Sequence, residues 1–185
     1  MTNLSSNPSE VKIGWIGTGI MGAPMAMHLV DAGYKVSVFS RTKNKADKLI
    51  GRGCEWQNTP AGMAENCNII FTIVGYPRDV EEVDFGEDGL LQTLQKETVV
   101  IDMTTTLPGL AVRISEAARE KGAWAVDAPV SGGEVGAING ALSVMIGGEK
   151  DAVEAVLPIM EKFSKKMVYQ GKAGSGQHTK MCNQI

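Results

Sequence analysis

The sequence predicts an α/β fold built on a doubly wound, mostly parallel sheet. Three observations predict it. Short apolar runs rich in β-branched residues recur along the chain, and most are followed by a stretch of good helix formers. Those runs are close to continuously apolar, as strands covered on both faces are. The first of them passes directly into a glycine turn that opens a helix.

Taken in order, "VKIGWI" (11–16) is the first strand, after a tip, 1–10, expected to be disordered. Helix formers then run from Ile20 to Ala32; Pro24 sits in the first turn, where proline is tolerated, and Gly33 stands at the C-cap. "KVSVF" (35–39) is the second strand, with a helix expected near 43–50 and another after Thr59 and Pro60. "NIIFTIV" (68–74) precedes a helix from Pro77, and "TVVIDM" (98–103) precedes one from Pro108 to Lys121, stopped by Gly122. "WAVDAPV" (124–130) and "LSVMIGG" (142–148) are the next strands. In "EKDAVEAVLPIMEKF" (149–163), Val153, Val156, Leu157 and Met160 share one helical face, and Pro158 is expected to kink or divide that helix. "KKMVYQG" (165–171) closes the series as a short strand. Strands that keep alternating with helices call for right-handed crossovers.

Composition narrows the function classes. With 18 basic and 21 acidic side chains in 185 residues, the net charge is -3, and nothing points to a nucleic acid partner. No apolar run approaches the roughly 20 residues that cross a bilayer, so no membrane is expected. The start, "MTNLSSNPSE", lacks the regions of a signal peptide, and a cytoplasmic location is the expectation. Cys54, Cys67 and Cys182 are odd in number and far apart, and His28 and His178 are the two imidazoles; neither a disulfide framework nor a metal is favoured.

The turn "GTGIMG" fits G-x-G-x-x-G: Gly17 permits the tight turn, Gly19 lets the backbone approach a pyrophosphate, and Gly22 lets helix and strand pack closely. The helix N-terminus then faces the anion. This is the Rossmann-type arrangement, and a structural turn without a ligand is its bland alternative. Ile20 and Met21 belong to the same turn and count among the cofactor-binding candidates, although Met21, Met25 and Met27 are most simply packing residues. After the second strand come Ser40, Arg41, Thr42, Lys43, Asn44 and Lys45, with no acid until Asp47. A guanidinium with a hydroxyl and an ammonium suits a 2′-phosphate, so NADP is favoured over NAD, with Ser40, Arg41, Thr42 and Lys45 as its contacts. The alternative is that Lys43 and Lys45 are a solvated helix start, the simpler reading for Lys43. Two later strand ends should face the same crevice. Val74 and Gly75 would line the cofactor with apolar and backbone atoms, and Thr105 would offer a hydroxyl near the nicotinamide ribose. For Thr104 and Thr106 a turn-forming role is as reasonable.

At "DAPVSGG" (127–133), Ser131, Gly132 and Gly133 could receive a carboxylate or form a loop hinge. Together "GTGIMGAPMAMHL", "SRT", "DAPVSGG" with "GAINGALSVMIGG", and "GSGQHTKMCNQ" resemble, in order and spacing, the β-hydroxyacid dehydrogenase family from Val11 onward. That family includes 3-hydroxyisobutyrate dehydrogenase, tartronate semialdehyde (2-hydroxy-3-oxopropionate) reductase, the glyoxylate/succinic semialdehyde reductases and, more distantly, 6-phosphogluconate dehydrogenase. The resemblance implies a substrate-carboxylate site at Ser131, Gly132 and Gly133 and a catalytic lysine at Lys180. The family's amide one turn beyond the lysine corresponds to Asn183 or Gln184; Gln184 is at i+4, where many members have asparagine, and Asn183 is weakly preferred. Chemistry agrees with Lys180: reducing an aldehyde leaves a negative oxygen that needs a proton donor, and a partly buried lysine supplies one. His178 and Cys182 read as packing or surface residues.

The resemblance also implies an oxidoreductase of a small carboxylate substrate: glyoxylate, succinic semialdehyde, 2-hydroxy-3-oxopropionate or 3-hydroxyisobutyrate. Competing readings are a dinucleotide-binding module without turnover and an oxidative decarboxylase. It divides the chain into a dinucleotide-binding domain, 11–175, and the start of an interdomain helix, 176–185, leading to an absent all-α domain. The chain is therefore expected to be a fragment that keeps cofactor binding but lacks catalysis, with a full-length form that is a homo-oligomer.

Overall fold

The computed structural model describes residues 6–184 of the chain. Residues 1–5 of the expected tip and Ile185 of the expected terminal helix lie outside them. Ser6–Glu10 lead in through a turn, and the Tyr34 hydroxyl donates to the Ser6 carbonyl at 2.9 Å. Among the described residues the chain forms a nine-stranded sheet.

Strands β1 (Lys12–Ile16), β2 (Lys35–Phe39) and β3 (Glu55–Trp56) lie to one side, and β4 (Ile69–Thr72), β5 (Val99–Asp102) and β6 (Trp124–Asp127) to the other. They pair in parallel in the order β3-β2-β1-β4-β5-β6. Their apolar side chains alternate between two cores. Trp15, Phe71, Ile101 and Val126 face one layer, and Ile16, Ile70, Val100 and Ala125 the other. In the first core Trp15 stacks on Phe71 with ring centroids 5.2 Å apart, and Phe163 meets both edge-on.

The helices are α1 (Gly22–Asp31), α2 (Asp47–Ile50), α3 (Pro60–Asn66), α4 (Pro77–Phe85), α5 (Leu90–Thr93), α6 (Pro108–Glu120), α7 (Gly133–Ile138), α8 (Lys150–Met160) and α9 (Ser175–Asn183). Thr59 caps α3 by accepting the Gly62 N–H, as its place before Pro60 suggests. The helix expected near 43–50 is a 3₁₀ turn at Lys43–Ala46 followed by the single turn α2.

The sheet changes character beyond β6. "WAVDAPV" divides at Ala128 and Pro129 into β6 and a two-residue strand, β7 (Val130–Ser131). Strand β8 (Leu142–Gly148) runs antiparallel to both and parallel to β9 (Ser164–Gly171). Pro158 does not divide α8: the helix runs from Lys150 to Met160 with the proline inside it. Pro158 lies in the last turn, so the hydrogen bond it cannot donate is close to the helix end. The sequence also gave no warning of α5 or β3, each too short to carry a periodicity.

Candidate active site

The glycine turn joins β1 to α1 in the geometry its spacing implies. Gly17 adopts φ +97°, and a side chain there would meet the Ile73 carbonyl. Gly22 packs against the Gly17 carbonyl and the Ile73 side chain, leaving no space for a Cβ. Gly19 faces open space, with nothing within 4 Å of where its Cβ would stand. The Trp15 indole N–H donates to the Gly17 carbonyl at 3.0 Å and ties the turn to the aromatic core.

A cavity of about 730 Å³ opens over this turn. Every cofactor candidate from the sequence lines it except Thr105: Gly17, Gly19, Ile20, Met21, Gly22, Ser40, Arg41, Thr42, Lys45, Val74 and Gly75. Thr105 is exposed on the loop after β5 and does not line it. The cavity suits a dinucleotide on two counts. The Thr18 hydroxyl is buried there without a hydrogen-bond partner, a cost that a ligand acceptor would remove. Helix α1 also begins without a side-chain cap or an acid in its first turn, so its positive end remains for an anion.

Arg41 does not stand alone. Its Nη1 lies 2.8 Å from Asp79 Oδ1, and Asp79, on α4, also accepts the Tyr76 N–H through Oδ2 at 3.1 Å. The absence of an acid between Ser40 and Lys45 therefore holds along the chain and fails in space.

The second part of the site lies where β5, β6 and α9 meet. Asp127, at the end of β6, accepts the Gly174 N–H through Oδ1 at 2.7 Å and the Gln177 N–H through Oδ2 at 2.9 Å. The fully buried Gln177 side chain accepts the Thr106 N–H at 2.9 Å and donates to the Thr104 carbonyl at 2.8 Å. Asp102 accepts the Thr104 N–H at 2.9 Å. Gly176 sits so close to the Met145 and Asp127 carbonyls that a side chain there would collide. These contacts fix the first turn of α9 on the sheet. The Thr104 hydroxyl also accepts the Val74 N–H at 3.0 Å, and the Thr106 hydroxyl donates to Asp102 Oδ2 at 3.4 Å.

Three aspartates border one water-sized cleft here, namely Asp84, Asp102 and Asp127. Burial pushes the Asp102 carboxyl up to about 7, against the lowering effect of the Thr104 and Thr106 hydrogen bonds. Burial raises Asp84 well above the usual carboxylate range, and the charge of Asp102 adds to it. Asp127 is raised by burial and partly rescued by the Gly174 and Gln177 amides. Sequence reasoning missed this group entirely. The one available signal was an aspartate closing two successive apolar strands, "VVID" and "WAVD".

One turn along α9, Lys180 is 6% exposed and its Nζ donates to Gln184 Oε1 at 2.7 Å. Burial lowers its pKa from the ordinary lysine value. The amide hydrogen-bonded to the lysine is Gln184, and it and the weakly preferred Asn183 are both exposed. His178 and Cys182 are exposed, and Cys54 and Cys67 are buried thiols pushed up to about 11 by desolvation. Ser131 pairs with Ser143 in β7–β8, and Gly132 and Gly133 follow at φ 134° and 59°, the second opening α7. The turn itself therefore calls for both glycines. None of these three residues, nor Lys180, lines the large cavity. Among the described residues no group of three or more His, Cys, Asp or Glu could hold a metal. No helix of theirs is long and apolar enough to cross a membrane.

Comparison with known proteins places this geometry. The model of the NAD binding domain of 6-phosphogluconate dehydrogenase matches residues 12–171. An uncharacterized oxidoreductase of Bacillus subtilis is 51% identical over 94% of this chain and 60% of its own length. A probable 3-hydroxyisobutyrate dehydrogenase-like mitochondrial protein of Arabidopsis thaliana is 45% identical over 97% of this chain and 56% of its own. The solved structure of Mycobacterium tuberculosis 3-hydroxyisobutyrate dehydrogenase with L-serine superposes with a TM-score of 0.86 at 29% identity, covering 94% of this chain and 58% of that one. The chain thus spans well under two thirds of the length of these relatives. What it spans is an NAD(P)-binding Rossmann domain, and the chain belongs to the β-hydroxyacid dehydrogenase family, with a cofactor domain of the 6-phosphogluconate dehydrogenase type.

Proposed function

We propose that this chain supplies the cofactor site and the proton-transfer lysine of an oxidoreductase acting between a nicotinamide dinucleotide and a small β-hydroxyacid or semialdehyde. The observation that carries the reading is Lys180: a nearly buried amine, lowered in pKa, held by a neutral amide on a helix pinned to the sheet. When bound, the dinucleotide supplies or accepts the hydride. Lys180 gives a proton to the carbonyl oxygen as it becomes a hydroxyl, and takes it back in the oxidative direction. Gln184 holds the amine in place, with Asn183 as the alternative amide. Ser131 and the backbone N–H groups of Gly132 and Gly133 receive the substrate carboxylate. Substrates of this description include 2-hydroxy-3-oxopropionate, glyoxylate, succinic semialdehyde and 3-hydroxyisobutyrate.

At the other end, Gly17, Gly19 and Gly22 with the start of α1 hold the pyrophosphate, and Val74 and Gly75 flank it. Ser40, Arg41, Thr42 and Lys45 favour a 2′-phosphate, so NADP(H) is preferred to NAD(H). Thr105 serves the nicotinamide ribose from the exposed loop after β5.

The test is a titration with NADPH and NADH, followed by rapid mixing with succinic semialdehyde and with glyoxylate. Binding without oxidation is the expected result for a chain that carries the cofactor site and the lysine without turnover of its own, and a pure dinucleotide-binding module would give the same. Oxidation on mixing supports the assigned chemistry and shows that these residues suffice for it, against the expected inactivity. No binding of either nucleotide overturns the proposal.

A further inference from the structure

Asp79 reaches the adenosine end of the cavity from a different part of the chain than the one that faces it first. Its side chain is 7% exposed, whereas that of its partner Arg41 is 76% exposed. The carboxylate belongs to the capping box that starts α4, with Oδ2 on the Tyr76 N–H, so the acid is fixed and the guanidinium comes to it. Both line the same cavity, as do Lys45, Glu82, Glu87 and Asp88. Two cationic side chains thus face four carboxylates.

We propose that Asp79 is a specificity-determining residue: it neutralises Arg41 and narrows the preference for a 2′-phosphorylated dinucleotide, so that NADP and NAD are both admitted. The inference rests on the reading of Arg41 as the 2′-phosphate contact. A phosphate monoester brings between one and two negative charges, and beside an Arg–Asp pair it meets a dipole where a lone guanidinium would present a full charge. Arg41 keeps its remaining N–H groups for the phosphate, so binding is weakened and not blocked. The pair does spare Arg41 some rotamer freedom, which would favour binding. Against that stands the repulsion between a fixed, nearly buried carboxylate and a phosphate sharing one cation, which salt screens poorly. A bare ribose feels neither effect.

The experiment measures dissociation constants of NADPH and NADH for the wild type, Asp79→Asn, Arg41→Ala and the double variant, at low and at physiological salt. Asp79→Asn keeps an acceptor for the Tyr76 N–H while removing the charge; Asp79→Ser does the same with a hydroxyl should the first variant fail to fold. The expected result is NADPH binding tightened about fivefold with NADH unchanged, an effect that disappears in the Arg41→Ala background. NADPH binding that is unchanged or weaker in Asp79→Asn, while Arg41→Ala alone weakens NADPH, overturns the proposal and makes Asp79 a support for Arg41. If Arg41→Ala leaves NADPH untouched, the reading of Arg41 itself is wrong and the proposal falls with it.

Discussion

Two regions of the same sheet are built in opposite ways. The dinucleotide cavity is open, lined by residues from five stretches of the chain, 16–22, 39–45, 58–60, 73–75 and 79–88, and it leaves the Thr18 hydroxyl without a partner. The base of α9 is closed: Asp127, Gln177, Thr104, Thr106 and Asp102 satisfy one another across sequence separations of up to 73 residues. The first region keeps polar groups free for a ligand. The second uses its polar groups internally and holds the helix that carries the buried Lys180. Binding capacity and mechanical support are thus placed in separate parts of the fold.

If that division holds, substitutions should separate cleanly into those that affect chemistry, stability or affinity. Lys180→Ala carries the largest expected effect: turnover in the catalytically competent protein falls about 10³-fold, as loss of a proton donor does, while nucleotide affinity stays the same. Near-normal turnover would show that the proton comes from another group. Asp127→Ala comes next. It strands the buried Gly174 and Gln177 N–H groups and should cost about 3 kcal/mol, seen as a fall in Tm of about 10 °C. An unchanged Tm would mean that the α9 base is looser than its hydrogen bonds indicate. Gly19→Val should do the reverse, weakening nucleotide binding about 30-fold with Tm preserved, since its side chain enters space the ligand needs. A Tm loss without an affinity loss would erase the contrast between the two regions.

The smallest effect concerns pH. Because the folded-state pKa of Asp102 is raised, its contribution to stability is complete below the ordinary carboxylate range and is lost as pH rises through about 7. Wild-type Tm should therefore fall by about 5 °C between pH 5 and pH 8 relative to Asp102→Asn, which has no proton to lose. Parallel profiles for the two proteins would mean that Asp102 ionises without penalty, and the buried network would not be the closed structure described.

The same division explains what could be read from sequence. Parallel strands β1, β2, β4, β5 and β6 were legible because each is a short apolar run, and the glycine turn because its three glycines answer to local backbone demands. Lys180 was singled out through a motif rather than through any physical pattern, since a lysine near a helix start is ordinarily solvated. Asp79 was missed because it reaches Arg41 across 38 residues, and Gln177 because its partners lie 71 and 73 residues away. Nothing in a window around either residue shows the contact. The continuity of α8 through Pro158 was hidden for the opposite reason: the local rule for prolines in helix interiors does not see that the helix ends two residues later.

Trp15 gives the glycine turn an optical voice. Its indole is fully buried, stacked on Phe71, and bonded to the carbonyl of the residue on which the turn pivots. Light absorbed there is emitted from surroundings without water, at the blue end of the tryptophan range. A ligand that draws on the turn disturbs that emission from the inside, and reduced nicotinamide in the cavity is placed to quench it by energy transfer. Occupancy of the site can then be followed in the unlabelled protein, against the redder light of the half-buried Trp56 and Trp124.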